Sequence, residues 1–370
     1  MRTKLWMLGV AVAALTSCTQ SEVMDIAQGT NIEFDSFLGK QSRADYSNVA
    51  AQQLQGAAGA ANDLTHFWVY GHYTGEASTN NVPFNGTDVF WDNTNSTFKY
   101  DVPQQWHVGN YQFAAYSNGN NELTASNAVS FSLIDKTFTF TDYINDGNND
   151  LVAAIPALIE KTEDNIASGE AVKFNFKHML ACIELRFTNA SSAFALDFKD
   201  VKFSANSKGI CIFSGTNTPS IEWTNQGSLK EYEFKTNIYD PEGGQYTDPS
   251  VLLQPGGSAS LYCFVIPQDN SNIELTFNVD SYNRITTGTD SSGKPTYSYS
   301  FSSPNSYEAS LSVPSQASWQ PGILYRYTAD VIGMNHYINF SVQSIEGWTS
   351  PNNPAVETPM NPATPTPANP

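Results

Sequence analysis

Apolar and polar residues alternate in stretch after stretch of this chain, and that period of two constrains its fold more than any other feature. Ile273, Leu275, Phe277 and Val279 alternate with Glu274, Thr276, Asn278 and Asp280. Tyr325, Tyr327, Ala329 and Val331 alternate with Arg326, Thr328 and Asp330. Ile338, Phe340 and Val342 alternate with Asn339, Ser341 and Gln343, and Tyr111, Phe113 and Ala115 repeat the pattern earlier. Successive side chains on a strand point to opposite faces, so each run describes a strand with one buried face. Leu64–Tyr73 and Ala259–Ile266 are apolar on both faces and read as central strands. Clusters such as Ser117–Asn121 and Asp146–Asp150 separate the runs with turn chemistry. The expected class is all-β, built of β-sandwiches. Tyr46–Ala61 is rich in Ala and Gln but interrupted by Gly56 and Gly59, and reads as a short helix or a loop.

One change of register stands out. Val172, Phe174, Phe176 and His178 share one face, while Ile183, Leu185 and Phe187 share a face of opposite parity. A period of two cannot join the sets without an extra residue, so a bulge or kink is expected within Met179–Cys182.

The chain has 370 residues, a length that suggests about two domains. The polar run Ile159–Glu170 is the best internal boundary. It gives an N-terminal domain at 32–158, a linker at 159–170 and a C-terminal domain at 171–348. Seven of the 19 prolines fall after residue 350, so 349–370 reads as an extended or disordered tail.

The first residues carry Arg2 and Lys4, then the apolar run Leu5–Leu15, then Thr16, Ser17 and Cys18. That is the pattern of a secretory signal, and the run is too short for a membrane span. Leu15-Thr16-Ser17-Cys18 resembles the lipobox of bacterial lipoproteins. The resemblance implies cleavage of a signal peptide at 1–17, acylation of the Cys18 thiol and a tether at 18–31. Several acyl chains would hold the protein at a membrane.

The net charge is −18, and losing Arg2 and Lys4 takes it to −20. Such a surface repels phosphate backbones, so nucleic acid is excluded as a partner. Cys182, Cys211 and Cys263 are odd in number and sit in apolar strand-like stretches. They cannot form a full disulfide framework and read as buried thiols.

Sequence signals for chemistry are weak. His66 and His72 are spaced to share a strand face, yet no further metal ligands accompany them. His178 reads as a packing and hydrogen-bonding residue. Asp142–Asp150 has a calcium-loop look, but Ile144 occupies a position where an EF-hand needs an oxygen ligand. There is no G-x-S-x-G, P-loop, H-E-x-x-H or C-x-x-C. No catalytic residue, metal or cofactor is assigned, and an enzyme is not the reading. Trp68, Trp91 and Trp106 suggest a glycan-binding alternative, since indoles stack on sugar rings, although such residues more often pack in cores.

Several segments together resemble the fimbrillin family, the lipoprotein pilus subunits of Bacteroidia. They are Ile32-Glu33-Phe34 with Ser42-Arg43-Ala44, then Trp106–Tyr116, Asp150–Ala154, Phe174–Phe187, Val265–Gln268, Trp319–Gly322 leading to Tyr325–Tyr327, and Ile345–Trp348. The resemblance implies two tandem transthyretin-like sandwich domains and a lipid-anchored outer-membrane location. It also implies cleavage by a trypsin-like maturation protease after Arg43, with Ala44 as the new N-terminus. Ile32 and Phe34 would lie on the released strand, and a strand of another pilin subunit would fill the groove. The protein would then reside in a surface fimbrium, and a host protein or glycan ligand stays open.

Overall fold

A computed structural model describes residues 30–37, 64, 66–75, 82–92, 94–119, 122–123, 129–216, 218–234, 238–240, 244–246, 252–311, 318–331 and 339–346. Cys18, Arg43, Ala44, His336, Tyr46–Ala61 and the proline-rich tail lie outside the described residues. The described residues form strands and no helices, as the alternation predicts.

Three larger sheets stack around three cores. The first holds β2 (His66–Thr74), β3 (Phe84–Asp92), β4 (Thr97–Lys99), β5 (Gly109–Asn118), β8 (Leu151–Ala154), β9 (Ile159–Lys161) and β11 (Lys177–His178). Its order is β11-β8-β5-β2-β3-β4, with β9 also on β5. A two-stranded ribbon, β1 (Phe34–Phe37) with β10 (Val172–Asn175), supplies residues to the core on one face of this sheet.

The second sheet has the order β19-β18-β13-β7-β6: Pro295–Ser310, Glu274–Thr289, Phe194–Ser214, Thr137–Ile144 and Val129–Ser132. β14 (Ser220–Glu233) also pairs with β13. The third sheet has the order β17-β12-β20-β21: Ser258–Val265, Ala181–Asn189, Ile323–Val331 and Asn339–Glu346. β15 (Ile238–Asp240) and β16 (Gly244–Tyr246) form a separate short ribbon.

The cores follow the predicted faces. Ile183, Leu185, Phe187, Tyr325 and Tyr327 of the third sheet meet Leu196, Phe198, Leu275, Phe277 and Val279 of the second. A middle core joins Trp68 and Tyr116 of the first sheet to Phe138, Phe140 and Phe213 of the second and to Cys182, Phe264 and Leu324 of the third. The hydrogen bonding therefore crosses the polar run 159–170 in both directions. β7 pairs with β13, whereas β11 pairs with β8. The run itself carries β9, docked on β5.

The register change falls where the chain leaves one sheet for another. β11 ends at His178, β12 begins at Ala181, and Met179 and Leu180 between them are buried without strand pairing. β2 is central, between β3 and β5. The expectation of a central strand at Ala259–Ile266 needs correction, because among the described residues β17 lies at the edge of its sheet and pairs there with β12. It is apolar on both faces because it lies between two cores. Leu261, Cys263 and Val265 face one, and Phe264 and Ile266 the other.

Candidate functional site

β1 is the element whose position bears most directly on function. Along it Ile32, Phe34 and Ser36 are buried while Asn31, Glu33 and Asp35 are exposed, so the alternation of the sequence becomes an inner and an outer face. Phe34 enters a ring of aromatic side chains. Its centroid lies 5.2 Å from Phe84, 5.4 Å from Tyr100, 5.8 Å from Phe174 and 6.0 Å from Phe113. Gly71 is part of the same arrangement, since a Cβ there would come within 2.8 Å of Phe84 and 2.9 Å of Phe113.

The backbone of β1 is held through few partners. It pairs in parallel with β10, Phe34 opposite Val172 and Ser36 opposite Phe174. The Val172 N–H donates to the Glu33 carbonyl at 2.8 Å, and the Ile32 N–H to that of Gln104 at 2.8 Å. The Trp106 N–H donates to the Thr30 carbonyl at 3.0 Å, and the Tyr100 hydroxyl to the Ile32 carbonyl at 2.7 Å. Parallel pairing is slightly weaker per residue than antiparallel pairing. A groove of about 630 Å³ opens between β1 and β4, lined in part by Glu33, Phe34, Asp35, Phe98, Lys99 and Tyr100.

A second constellation lies at the β8–β11 edge of the first sheet. His178 Nδ1 is 2.5 Å from Asp150 Oδ2, and both side chains are buried. Asp150 immediately precedes β8, and the Met179 N–H donates to the Leu151 carbonyl at 2.9 Å. The pair therefore pins the chain that follows β10 to the first sheet. Burial raises the Asp150 carboxyl above its ordinary value, and His178 opposes that rise. Burial also raises the nearby Cys182 thiol well above its ordinary value, aided by Glu184 and Asp150. A protonated, buried thiol is a poor nucleophile. His178 has the hydrogen-bonding role expected from the sequence, and Asp150 is the partner that no local pattern names.

The other candidates disperse. His66 Nε2 meets Asp88 Oδ1 at 2.8 Å, while His72 lies against Phe131 with centroids 5.6 Å apart. In the acidic turn, Asp146 Oδ1 accepts from the Asn148 and Asn149 N–H groups at 2.8 and 3.0 Å, and Asp142 pairs with Lys208 at 3.2 Å. The stacking role suggested for the tryptophans needs correction at Trp68 and Trp106, whereas Trp91 is half-buried. Trp68 and Trp106 are core residues, 5% and 1% exposed, and Trp91 packs on Phe98 with centroids 5.1 Å apart. Cys182, Cys211 and Cys263 are buried free thiols.

These features define a class, an all-β protein of stacked sheets in which a strand near the N-terminus pairs with the distant β10 and supplies core side chains to the first sheet. Residues 56–348 match the family described as fimbrillin-like. The chain belongs to the fimbrillin-like family. The matched stretch begins after Cys18, β1 and Arg43.

No curated protein matches. Among solved structures, a candidate cell adhesion protein from Bacteroides uniformis is 13% identical, with 86% of this chain and 98% of that chain covered and a TM-score of 0.43. One from Bacteroides ovatus is 15% identical, with 88% and 99% covered and a TM-score of 0.42. The fimbrial anchor protein Mfa2 from Porphyromonas gingivalis is 11% identical, with 85% and 97% covered and a TM-score of 0.29.

Proposed function

We propose that this chain is a structural or adhesive subunit of a cell-surface fimbria, exported as a lipoprotein through Cys18 and matured by cleavage after Arg43. In this reading the acylated precursor sits at the outer membrane, and a trypsin-like protease cuts between Arg43 and Ala44. The strand bearing Ile32 and Phe34 then leaves, and a strand of the next subunit takes its seat. The two sandwich units in this reading are those of 32–158 and 171–348, with β10 and β11 reaching back to the first and β6 and β7 lent to the second.

The observation that carries this reading is the seat of Phe34 among Phe84, Tyr100, Phe113 and Phe174. The strand is bound by one parallel partner and a few hydrogen bonds, and it plugs a core whose other walls come from elsewhere in the chain. Its departure would leave an apolar trench beside the unpaired edge of β10, and such an edge is a template for another strand. Filling it is β-augmentation, with backbone bonds giving affinity and side-chain sockets specificity. Repeated head to tail, the exchange produces an open filament.

The test is trypsin treatment of the purified precursor, followed by N-terminal sequencing and electron microscopy. Filaments whose subunits begin at Ala44 are the expected result. Normal filament assembly by the Arg43→Ala variant would refute cleavage at that site.

A further inference from the structure

β18 and β19 form a long antiparallel hairpin, and only its base belongs to the core. Leu275, Phe277, Val279, Tyr307 and Ala309 are buried there. Beyond Ser281 and Ser303 both strands run on to a turn at Asp290–Lys294, and most of their residues are exposed.

A register shift at Ser281/Tyr282 changes what this extension displays. It inserts Ser302 as an extra residue, which turns the odd-numbered residues of β19 from the core side to the opposite side; re-aiming side chains is a common use of a bulge. Phe301 then stands opposite Tyr282, Tyr299 opposite Arg284, and Tyr297 opposite Thr286. Directly opposed residues share a face. Phe301 is 57% exposed and Tyr299 40%. The Tyr282 and Phe301 centroids are 5.7 Å apart, and the Arg284 guanidinium lies 4.5 Å from the Tyr297 ring centre.

We propose that this face binds the sugar rings of a neutral glycan strand. The proposal rests on the adhesive-subunit reading and names its ligand class. Three observations favour this occupant. First, Tyr297, Tyr299 and Phe301 form a ladder about 13 Å long, at about 3.3 Å per residue. On a face two strands wide beyond Asn283, with β13 pairing β18 at Tyr282 and Asn283, that is far below the about 800 Å² per partner of a stable protein interface. Second, the aromatic surface is mixed with donors to hydroxyl edges, namely the Arg284 guanidinium and the tyrosine hydroxyls. Tyrosine supplies rigid amphipathic contact at low entropic cost. Third, the chain's charge of −18 disfavours polyanions at long range. Repeated along a filament, a weak site of this kind would gain avidity.

The test uses the full unassembled chain in affinity electrophoresis through gels containing starch, mannan, xylan, galactan or β-glucan, with alginate as the polyanion. Retardation by at least one neutral polysaccharide is expected. Tyr299→Ala and Phe301→Ala should each weaken it about tenfold, equivalent to about 1.4 kcal/mol. Tyr299→Phe, which keeps the ring and loses one hydroxyl donor, should weaken it less than Tyr299→Ala does, and Ser298→Ala, one position off the ladder, should leave it unchanged. No retardation, retardation by alginate alone, or retardation that survives the double alanine variant would overturn the proposal. So would a concentration-dependent dimer, seen by sedimentation, that this variant abolishes in place of glycan binding. Filament assembly is scored on the same preparations. Assembly without binding sinks only the glycan site, and binding without assembly sinks only strand exchange.

Discussion

Asp150 Oδ2 lies 2.5 Å from His178 Nδ1, with neither side chain reaching solvent. The sign of its pH effect follows from burial. The folded carboxyl binds its proton more tightly than the unfolded chain, whose value is near 3.8. The stability this group contributes is full below that value and declines as pH rises through the higher folded one. Asp150→Asn removes the titration. Urea unfolding of both proteins at matched pH should show the wild-type advantage shrinking from pH about 3.8 upward. In a His178→Gln background the decline should extend to higher pH and grow in total, because the lowering influence of His178 is gone. A difference independent of pH in both backgrounds would refute the assignment.

Phe34→Ala tests the seat of β1. Removing a buried phenylalanine typically costs about 3–5 kcal/mol, and here the cavity would open among Phe84, Tyr100, Phe113 and Phe174. Chemical denaturation should report that loss. Glu33→Gln, on the exposed side of the same strand, should stay within about 0.5 kcal/mol of wild type. Equal effects at the two positions would show that β1 is not held by its inner face.

Much of this architecture was legible as alternation. The runs at 273–279 and 325–331 became buried faces of β18 and β20 because a half-buried strand writes its two faces directly into the sequence. What alternation cannot supply is the partner. β1 finds β10 and β12 finds β20, both in parallel and across long stretches of chain, and no local signal names either pairing. The same gap explains the missed partner of His178. It also explains Arg326, which alternation assigns to the polar face but which is 9% exposed. The aromatic row of the hairpin was hidden for another reason, since the bulge at Ser302 reverses the face that alternation would assign.

Arg326 Nε donates to Glu184 Oε2 at 2.7 Å, while the Ser260 and Tyr262 hydroxyls donate to Glu184 Oε1 at 2.9 and 3.1 Å. Removing one member of a buried pair strands the other charge. Arg326→Met should therefore cost about 3–5 kcal/mol, whereas pairing it with Glu184→Leu should recover most of that loss. Thermal unfolding of the two single variants and the double variant measures the coupling directly. Additive losses would show that the two groups act independently.

The three thiols offer a probe of the cores that does not require mutation. Cys182 lies in the middle core with Cys211, while Cys263 faces the core between the second and third sheets. Burial raises all three above their ordinary values. Reaction with an aromatic disulfide requires a thiolate and access, and the native fold withholds both. The folded chain should react negligibly at neutral pH. Three thiols per acylated chain should then react together as denaturant crosses the unfolding midpoint. If one thiol reacted well before that midpoint, the core holding it would be opening separately: early Cys263 would single out the core between the second and third sheets, and early Cys211 the middle core. Mass spectrometry of the labelled peptides identifies which thiol moved first, and simultaneous labelling of all three is the outcome expected if the stacked sheets unfold as one unit.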